Sequence, residues 1–204
     1  MIEQTYQQRT IELIKPGSTV LDLGCGDGAF LAELARVKQV KGYGIDIDFS
    51  SILDCVKKGL SVFQGNIEEG LKEFSSQSFD YVILSHTLQQ IHNPLYVLSE
   101  MLRVGRKAIV TFPNFAHWKI RLALLQGASP KSKSLPFEWY NTPNIRVITV
   151  HDFRVLCQKE NIQIEAEIPL YDSPVLSKLF GVHFTNLLAN KGMFVLMRDT
   201  GFSI

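Results

Sequence analysis

Residues 20–30 read VLDLGCGDGAF, an apolar run that breaks into glycines at 24, 26 and 28. The segment STVLDLG (18–24) has the composition of a strand, and Asp27 to Val37 that of a helix. Glycines between the two let the backbone pass close to a ligand and adopt left-handed dihedrals at little cost. Such turns cradle nucleotide-like groups, and three chemistries compete for this one. A phosphate-binding P-loop requires Gly-x-x-x-x-Gly-Lys-Ser/Thr, and no such string occurs. A dinucleotide turn requires Gly-x-Gly-x-x-Gly/Ala with an acid about 20 residues further on. Gly24, Gly26 and Ala29 meet the first condition and Asp46 the second, so that reading stays open.

The third chemistry is S-adenosylmethionine, whose turn reads acid-x-Gly-x-Gly-x-Gly. Asp22, Gly24, Gly26 and Gly28 fill every position. Asp22 discriminates, because a carboxylate at the strand end repels a pyrophosphate and attracts an ammonium or sulfonium cation. Asp46 then suits the ribose, its two oxygens accepting from adjacent hydroxyls at roughly 1.5–3 kcal/mol per hydrogen bond to a charged group. Asn66, after the third expected strand, falls where an adenine-reading side chain sits, with a carbonyl oxygen able to accept from the adenine amino group. The expected cofactor-contacting set is Asp22, Gly24, Cys25, Gly26, Gly28, Asp46, Ile47, Asn66, Ile67 and Ser85. Cys25 is read as a small residue whose backbone, not its thiol, faces the ligand.

Outward from the turn, apolar segments alternate with helical patterns. VKGYGIDI (40–47), LSVFQGN (60–66), SFDYVILSH (78–86), RKAIVTFP (106–113), IQIEAEIPL (162–170) and KGMFVLMR (191–198) read as strands. Phe49 to Lys58, Pro94 to Val104 and His151 to Glu160 read as helices. Pro94 at a helix start and Gly105 just past its end fit the usual asymmetry of helix termini. Tyr81 to Leu84 is near-continuously apolar, as in a strand buried on both faces. The alternation predicts an α/β fold, a parallel sheet with helices on both faces, whose ligands bind at the carboxyl ends of the strands.

The rhythm breaks at 114–150. FAHWKIRLALL (115–125) predicts a helix with Trp118, Leu122 and Leu125 on one face, and QGASPKSKSLPFEWYNTPN (126–144) is turn-rich and aromatic. The expectation is a single domain over 1–204, with 114–150 inserted over the carboxyl edge of the sheet.

The chain has 204 residues, 46% apolar and 20% charged, an ordinary globular composition of single-domain size. Its net charge of +1 lacks the basic excess of a nucleic-acid binder. Cys25, Cys55 and Cys157 form no Cys-x-x-Cys pair, which predicts no disulfide framework, no metal site and a reducing, cytoplasmic setting. No run approaches the ~18 apolar residues of a membrane span, and MIEQTYQQRTIELI lacks a signal-peptide pattern.

VLDLGCGDG, GYGIDID, QGNIEEGL and FDYVILSHTLQ resemble, in order and spacing, the four strand-end motifs of class I S-adenosylmethionine-dependent methyltransferases. NPLYVLSEMLRVGRKAIVTFPNFAHWKIRLALL and LPFEWYNTPNIRVITVHDF extend the likeness to the MetW family of methionine biosynthesis over nearly the whole chain. The resemblance implies a Rossmann-like, seven-stranded, mostly parallel sheet whose last strand is antiparallel. It also implies a role in methionine biosynthesis alongside homoserine O-acyltransferase, the enzyme that activates homoserine. One position departs: many members carry Asp where this chain has Asn66, and the amide keeps the acceptor while losing the charge.

Methyl transfer needs a nucleophile in line with the sulfonium methyl and, where the nucleophile carries a proton, a base. His86 follows the fourth strand, His92 precedes a helix that it is placed to cap, and His117 opens the insertion helix. His86 and His117 are the candidate catalytic residues, yet no carboxylate pair or nucleophile–base pair accompanies them. SHTLQ stands where aminomethylating enzymes carry an Asn-Pro-Pro-Tyr-like string. Two functions follow: a cofactor-binding regulatory protein that docks on the acyltransferase through the aromatic insertion, or an active small-molecule methyltransferase. A nicotinamide oxidoreductase is the weaker third.

Overall fold

The computed structural model describes residues 2–132, 134–171 and 184–198. Its strands are β1 (Thr19–Leu23), β2 (Lys41–Asp46), β3 (Ser61–Gln64), β4 (Phe79–Ser85), β5 (Gly105–Pro113), β6 (Ile162–Leu170) and β7 (Lys191–Arg198). Its helices are α1 (Ile2–Leu13), α2 (Ala29–Lys38), α3 (Phe49–Lys57), α4 (Pro94–Val104), α5 (Trp118–Leu125), α6 (Val150–Lys159) and α7 (Thr185–Leu188). All seven strands join one sheet in the order β3-β2-β1-β4-β5-β7-β6. β3 to β5 pair in parallel, and β7 runs antiparallel to both β5 and β6, as expected for the last strand. The order reverses between β1 and β4, which opens a crevice at the carboxyl ends there.

Period-two alternation divides the sheet's side chains between two cores. Val20, Tyr81, Ile83, Ile109 and Val195 pack with Tyr6 and Ile14, in and after α1, and with Leu34 of α2. Leu21, Leu23, Val82, Leu84, Val110 and Leu196 pack on the other face with Leu98 and Met101 of α4 and Phe153 of α6. Because both faces are covered, the inner strands lack a solvent-facing polar side and read as largely apolar runs, broken by the buried Asp22 in β1 and Thr111 in β5. Asp22, two residues on from Val20, shares its face of the strand and therefore points to the α1 side.

The helix starts follow capping chemistry. Asn93 Oδ1 accepts from Tyr96 N ahead of Pro94, so Asn93 caps α4, the role expected of His92. Thr149 caps α6 and Asp48 caps α3. Two elements add to the reading from sequence. The N-terminal segment is helix α1, which buries Tyr6 and Thr10 on one side, with Thr10 Oγ1 donating to Tyr6 O. In α5 the buried residue is Ile120, while Trp118, Leu122 and Leu125 are exposed.

Asn114 closes the base of the 114–150 segment. Its Oδ1 accepts from Ala116 N at 3.1 Å and Val150 N at 3.3 Å, and its Nδ2 donates to Ala189 O at 2.8 Å. Phe115 N donates to Ile148 O, zipping the two ends together. From there the segment runs back along residues 89–92, which follow β4.

Candidate cofactor site

The glycine turn hangs from the end of β2. Gly24 N and Cys25 N both donate to Ile45 O, at 2.8 and 3.0 Å, and Gly26 N donates to Asp46 Oδ2 at 2.7 Å. The other Asp46 oxygen accepts from Asp48 N at 2.9 Å, just before α3. One carboxylate therefore fixes both the turn after β1 and the loop after β2. Gly24, Gly26 and Gly28 all take positive φ, at 73°, 54° and 72°, a region that costs other L-residues about 1–2 kcal/mol.

A cavity of about 330 Å³ opens beside this turn, within the range of small-ligand sites. Gly24, Asp46, Ile47, Asn66 and Ile67 line it, joined by Gly65, Glu68, Thr87, Gln90 and Ile91. Five residues of the expected set thus share one wall. The Asp46 oxygens keep one lone pair each, enough for two vicinal hydroxyls. Ile47, Ile67 and Ile91 supply apolar surface suited to a flat ring. Asn66 differs from expectation: its Oδ1 already accepts from Glu68 N at 3.0 Å, capping the short 3-10 turn Ile67–Glu69, so only its second lone pair is left for a ligand.

The other five expected residues, Asp22, Cys25, Gly26, Gly28 and Ser85, are not among those that line the cavity. Gly28 is buried under the start of α2, where a Cβ would stand 2.7 Å from Cys55 Sγ. Cys25 points its thiol at Gly44, and burial, with the Asp22 charge behind it, pushes that thiol well above its usual range. Asp22 is 3% exposed and accepts no hydrogen bond from the described residues. Burial first, and the Asp46 charge second, push its pKa up to about 7. A buried carboxylate this poorly compensated gains by a cation close to it. The apolar walls, Asp46 and the glycine cradle together fit a nucleoside: Asp46 would hold the ribose, and Asp22, buried outside the lining, would act on a positive group through its field.

Ser85 ends β4 and His86 follows it. His86 adopts φ 55° and its N donates to Thr111 O. Its Nε2 lies 2.9 Å from Lys191 Nζ. Burial, reinforced by the Lys191 charge, pulls its pKa down to about 3. The Tyr6 ring meets it edge-on at 5.5 Å. His117 is buried and caps α5, Nδ1 accepting from Lys119 N. His92 is tied to Glu68, whose carboxylate accepts from His92 N and Asn93 N.

Several residues at the site were not legible in sequence. Thr87, Gln90 and Ile91 follow β4 in and beside the 3-10 turn Leu88–Gln90, too short to show periodicity, and Tyr6 comes from a helix that the polar N-terminal sequence concealed. A spacing signal did exist, since Tyr6, Thr10 and Ile14 recur every four residues. Among the described residues there is no metal-binding cluster, and no helix is long and apolar enough to cross a membrane.

The strand order, the antiparallel β7 and the acid-bordered glycine turn define a Rossmann-like fold of the class I methyltransferase type. Solved structures share it. An S-adenosylmethionine-dependent methyltransferase from Archaeoglobus fulgidus matches 96% of this chain and 94% of its own, with TM-score 0.67 at 17% identity. The [4+2]-cyclase SpnF matches 97% of this chain and 82% of its own, with TM-score 0.67 at 12% identity. One fold thus carries different reactions.

Residues 5–196 match the family model of the methionine biosynthesis protein MetW, and the chain belongs to that family. A protein of Rhodopirellula baltica named bifunctional methionine biosynthesis protein MetXA/MetW is 38% identical over 172 residues, 79% of this chain. A demethylmenaquinone methyltransferase of Bacillus cereus is 32% identical over 112 residues, half of this chain. The chain spans 28% and 46% of the lengths of these two relatives.

Proposed function

We propose that this chain binds S-adenosylmethionine, or its demethylated product, in the cavity beside the glycine turn, and acts as a regulatory partner of homoserine O-acyltransferase in methionine biosynthesis. The observation that carries the reading is a cavity of about 330 Å³ lined by Asp46 and Glu68 beside the glycine turn, with an insertion whose rings face solvent. Trp139 is 75% exposed and Tyr140 70%, with Phe137, Ile145 and Val147 also open. Rings forming a core beneath a lid would be covered. Exposed Trp and Tyr are instead the residue types that anchor protein interfaces. The fused MetXA/MetW relative supports the choice of partner, since fusion keeps two associating units in one chain.

Catalysis draws less support. With the Lys191 ammonium on Nε2 and a pKa near 3, His86 is neutral and that nitrogen is not free to take a proton. His117 is engaged as a helix cap. The second reading, an active methyltransferase, draws on the left-handed His86, because strained residues cluster at functional sites.

The test is co-purification with homoserine O-acyltransferase and an acyl-transfer assay with and without this chain. We expect a complex and a changed rate, and Trp139→Ser to weaken the complex about thirtyfold, the scale of an interface hot spot. No complex and no change in rate would sink the reading. In parallel, labelled S-adenosylmethionine is incubated with cell extract. A methylated product that vanishes in His86→Asn, with cofactor binding intact, would establish the enzyme reading.

A further inference from the structure

We infer that the cofactor cavity and the aromatic insertion are coupled through a clip at Arg146. The inference rests on the function proposed above and adds its regulation. Residues 87–92 serve two sides at once. Thr87, Gln90 and Ile91 line the cavity. The carbonyls of the same segment hold the insertion: Gln89 O accepts from Ile145 N at 2.9 Å and Arg146 N at 3.0 Å. The Arg146 guanidinium then reaches on, Nε to Ile91 O and Nη2 to His92 O. Glu68, another cavity residue, grips the amides of His92 and Asn93 from the opposite side. Ile145 and Val147, which flank Arg146, are among the exposed apolar residues of the insertion.

A second observation concerns the joint itself. Among the described residues four buried side-chain atoms lack a hydrogen-bond partner, and two of them, Gln89 Oε1 and Asn144 Oδ1, belong to this joint. Buried acceptors left unpaired disfavour the arrangement that holds them, so the joint is poised to shift. A ligand biases such an element only by contacting one arrangement better than the other. A nucleoside resting on Gln90 and Ile91 has that opportunity, because Ile91 O accepts from the Arg146 guanidinium and Gln90 directly follows Gln89, whose carbonyl holds the Ile145 and Arg146 amides. Cofactor occupancy thereby orders the 144–147 strap and with it the apolar residues presented to the acyltransferase. By linkage, the partner tightens cofactor binding by the same factor.

The deciding measurement is amide hydrogen exchange on the chain alone, with S-adenosylmethionine added and its binding followed by calorimetry. We expect exchange at Ile145 and Arg146 to slow about 5- to 150-fold, the usual span of a coupling between sites. In Arg146→Ala the cofactor should still bind, and the slowing should fall below about twofold. Arg146→Lys, which keeps the charge but loses the fork that spans two carbonyls, should behave like the alanine variant. Binding without slowing in the wild type overturns the inference, as does full slowing in both variants. Because this readout needs no partner, slowed exchange without an acyltransferase complex refutes the docking reading and leaves the coupling standing. A complex without slowed exchange does the reverse.

Discussion

Gly28→Ala and Gly26→Ala should differ sharply, although the two glycines sit two residues apart in one motif. Both have positive φ, so alanine at either incurs the left-handed cost of about 1–2 kcal/mol. At Gly26 a Cβ meets nothing within 4 Å, and the cost stops there. At Gly28 it would lie 2.5 Å from Leu60 Cδ1 and 2.7 Å from Cys55 Sγ, inside contact distance of a packed helix. Overpacking of that kind adds about 1–3 kcal/mol, for a total of about 2–5 kcal/mol. Urea unfolding followed by circular dichroism reads the difference directly, provided the slopes of the transitions agree. Leu60→Ala in the Gly28→Ala background should return about 1 kcal/mol or more relative to the sum of the single changes, the mark of two residues in contact. Equal losses at the two glycines, or strict additivity with Leu60, would show that packing under α2 is not what demands Gly28.

Asp22 should make cofactor affinity depend on pH. Its pKa near 7 in the free protein, against 3.8 ordinarily, means that a cationic ligand competes with a proton. Affinity for S-adenosylmethionine by calorimetry should rise as pH rises toward about 7 and level off above it, and Asp22→Asn should give a flat profile. Without ligand the sign is opposite. A raised carboxyl pKa favours the folded state below the ordinary value and loses that benefit as pH climbs through the folded one, so Asp22→Asn should gain stability over wild type at pH 8. Glu100→Ala should cost about 2–3 kcal/mol, because Glu100 accepts from Leu71 N at 2.8 Å and pairs with an Arg103 that also holds Leu71 O and Phe74 O. A thermal midpoint within about 2 °C of wild type would contradict that. Asp46→Ala should lower both cofactor affinity and the unfolding midpoint; lost affinity at an unchanged midpoint would deny its hold on the turn.

Much of the fold was legible because the inner strands are buried on both faces. Tyr81 to Leu84 is apolar throughout and Ala108 to Phe112 is broken only by the buried Thr111, and proline, glycine and asparagine mark the ends of α4. The cavity was half legible. Positions tied to strand ends could be located by counting, so Asp46, Ile47, Asn66 and Ile67 were found. Thr87, Gln90 and Ile91 were not, since a 3-10 turn of three residues carries no period. The insertion resisted for another reason. The apolar spacing of Trp118, Leu122 and Leu125 implies a buried face only if something in the chain covers it, and these side chains are exposed. Asn66 and Asn93 show the limit of side-chain logic. Both amide oxygens accept from local backbone, and sequence spacing alone does not tell a cap from a ligand contact.

The double grip of Asp46, on Gly26 N and on Asp48 N, bears on how the motif should be read in other chains. A carboxylate that supports two loops has an architectural task with or without a ribose against it, so an acid after the second strand is by itself a sign of the scaffold and not of the ligand. Asp22 makes the opposite marker. It is buried, poorly compensated and unpaired among the described residues, so its charge serves no hydrogen bond of the scaffold and has meaning only toward a cation.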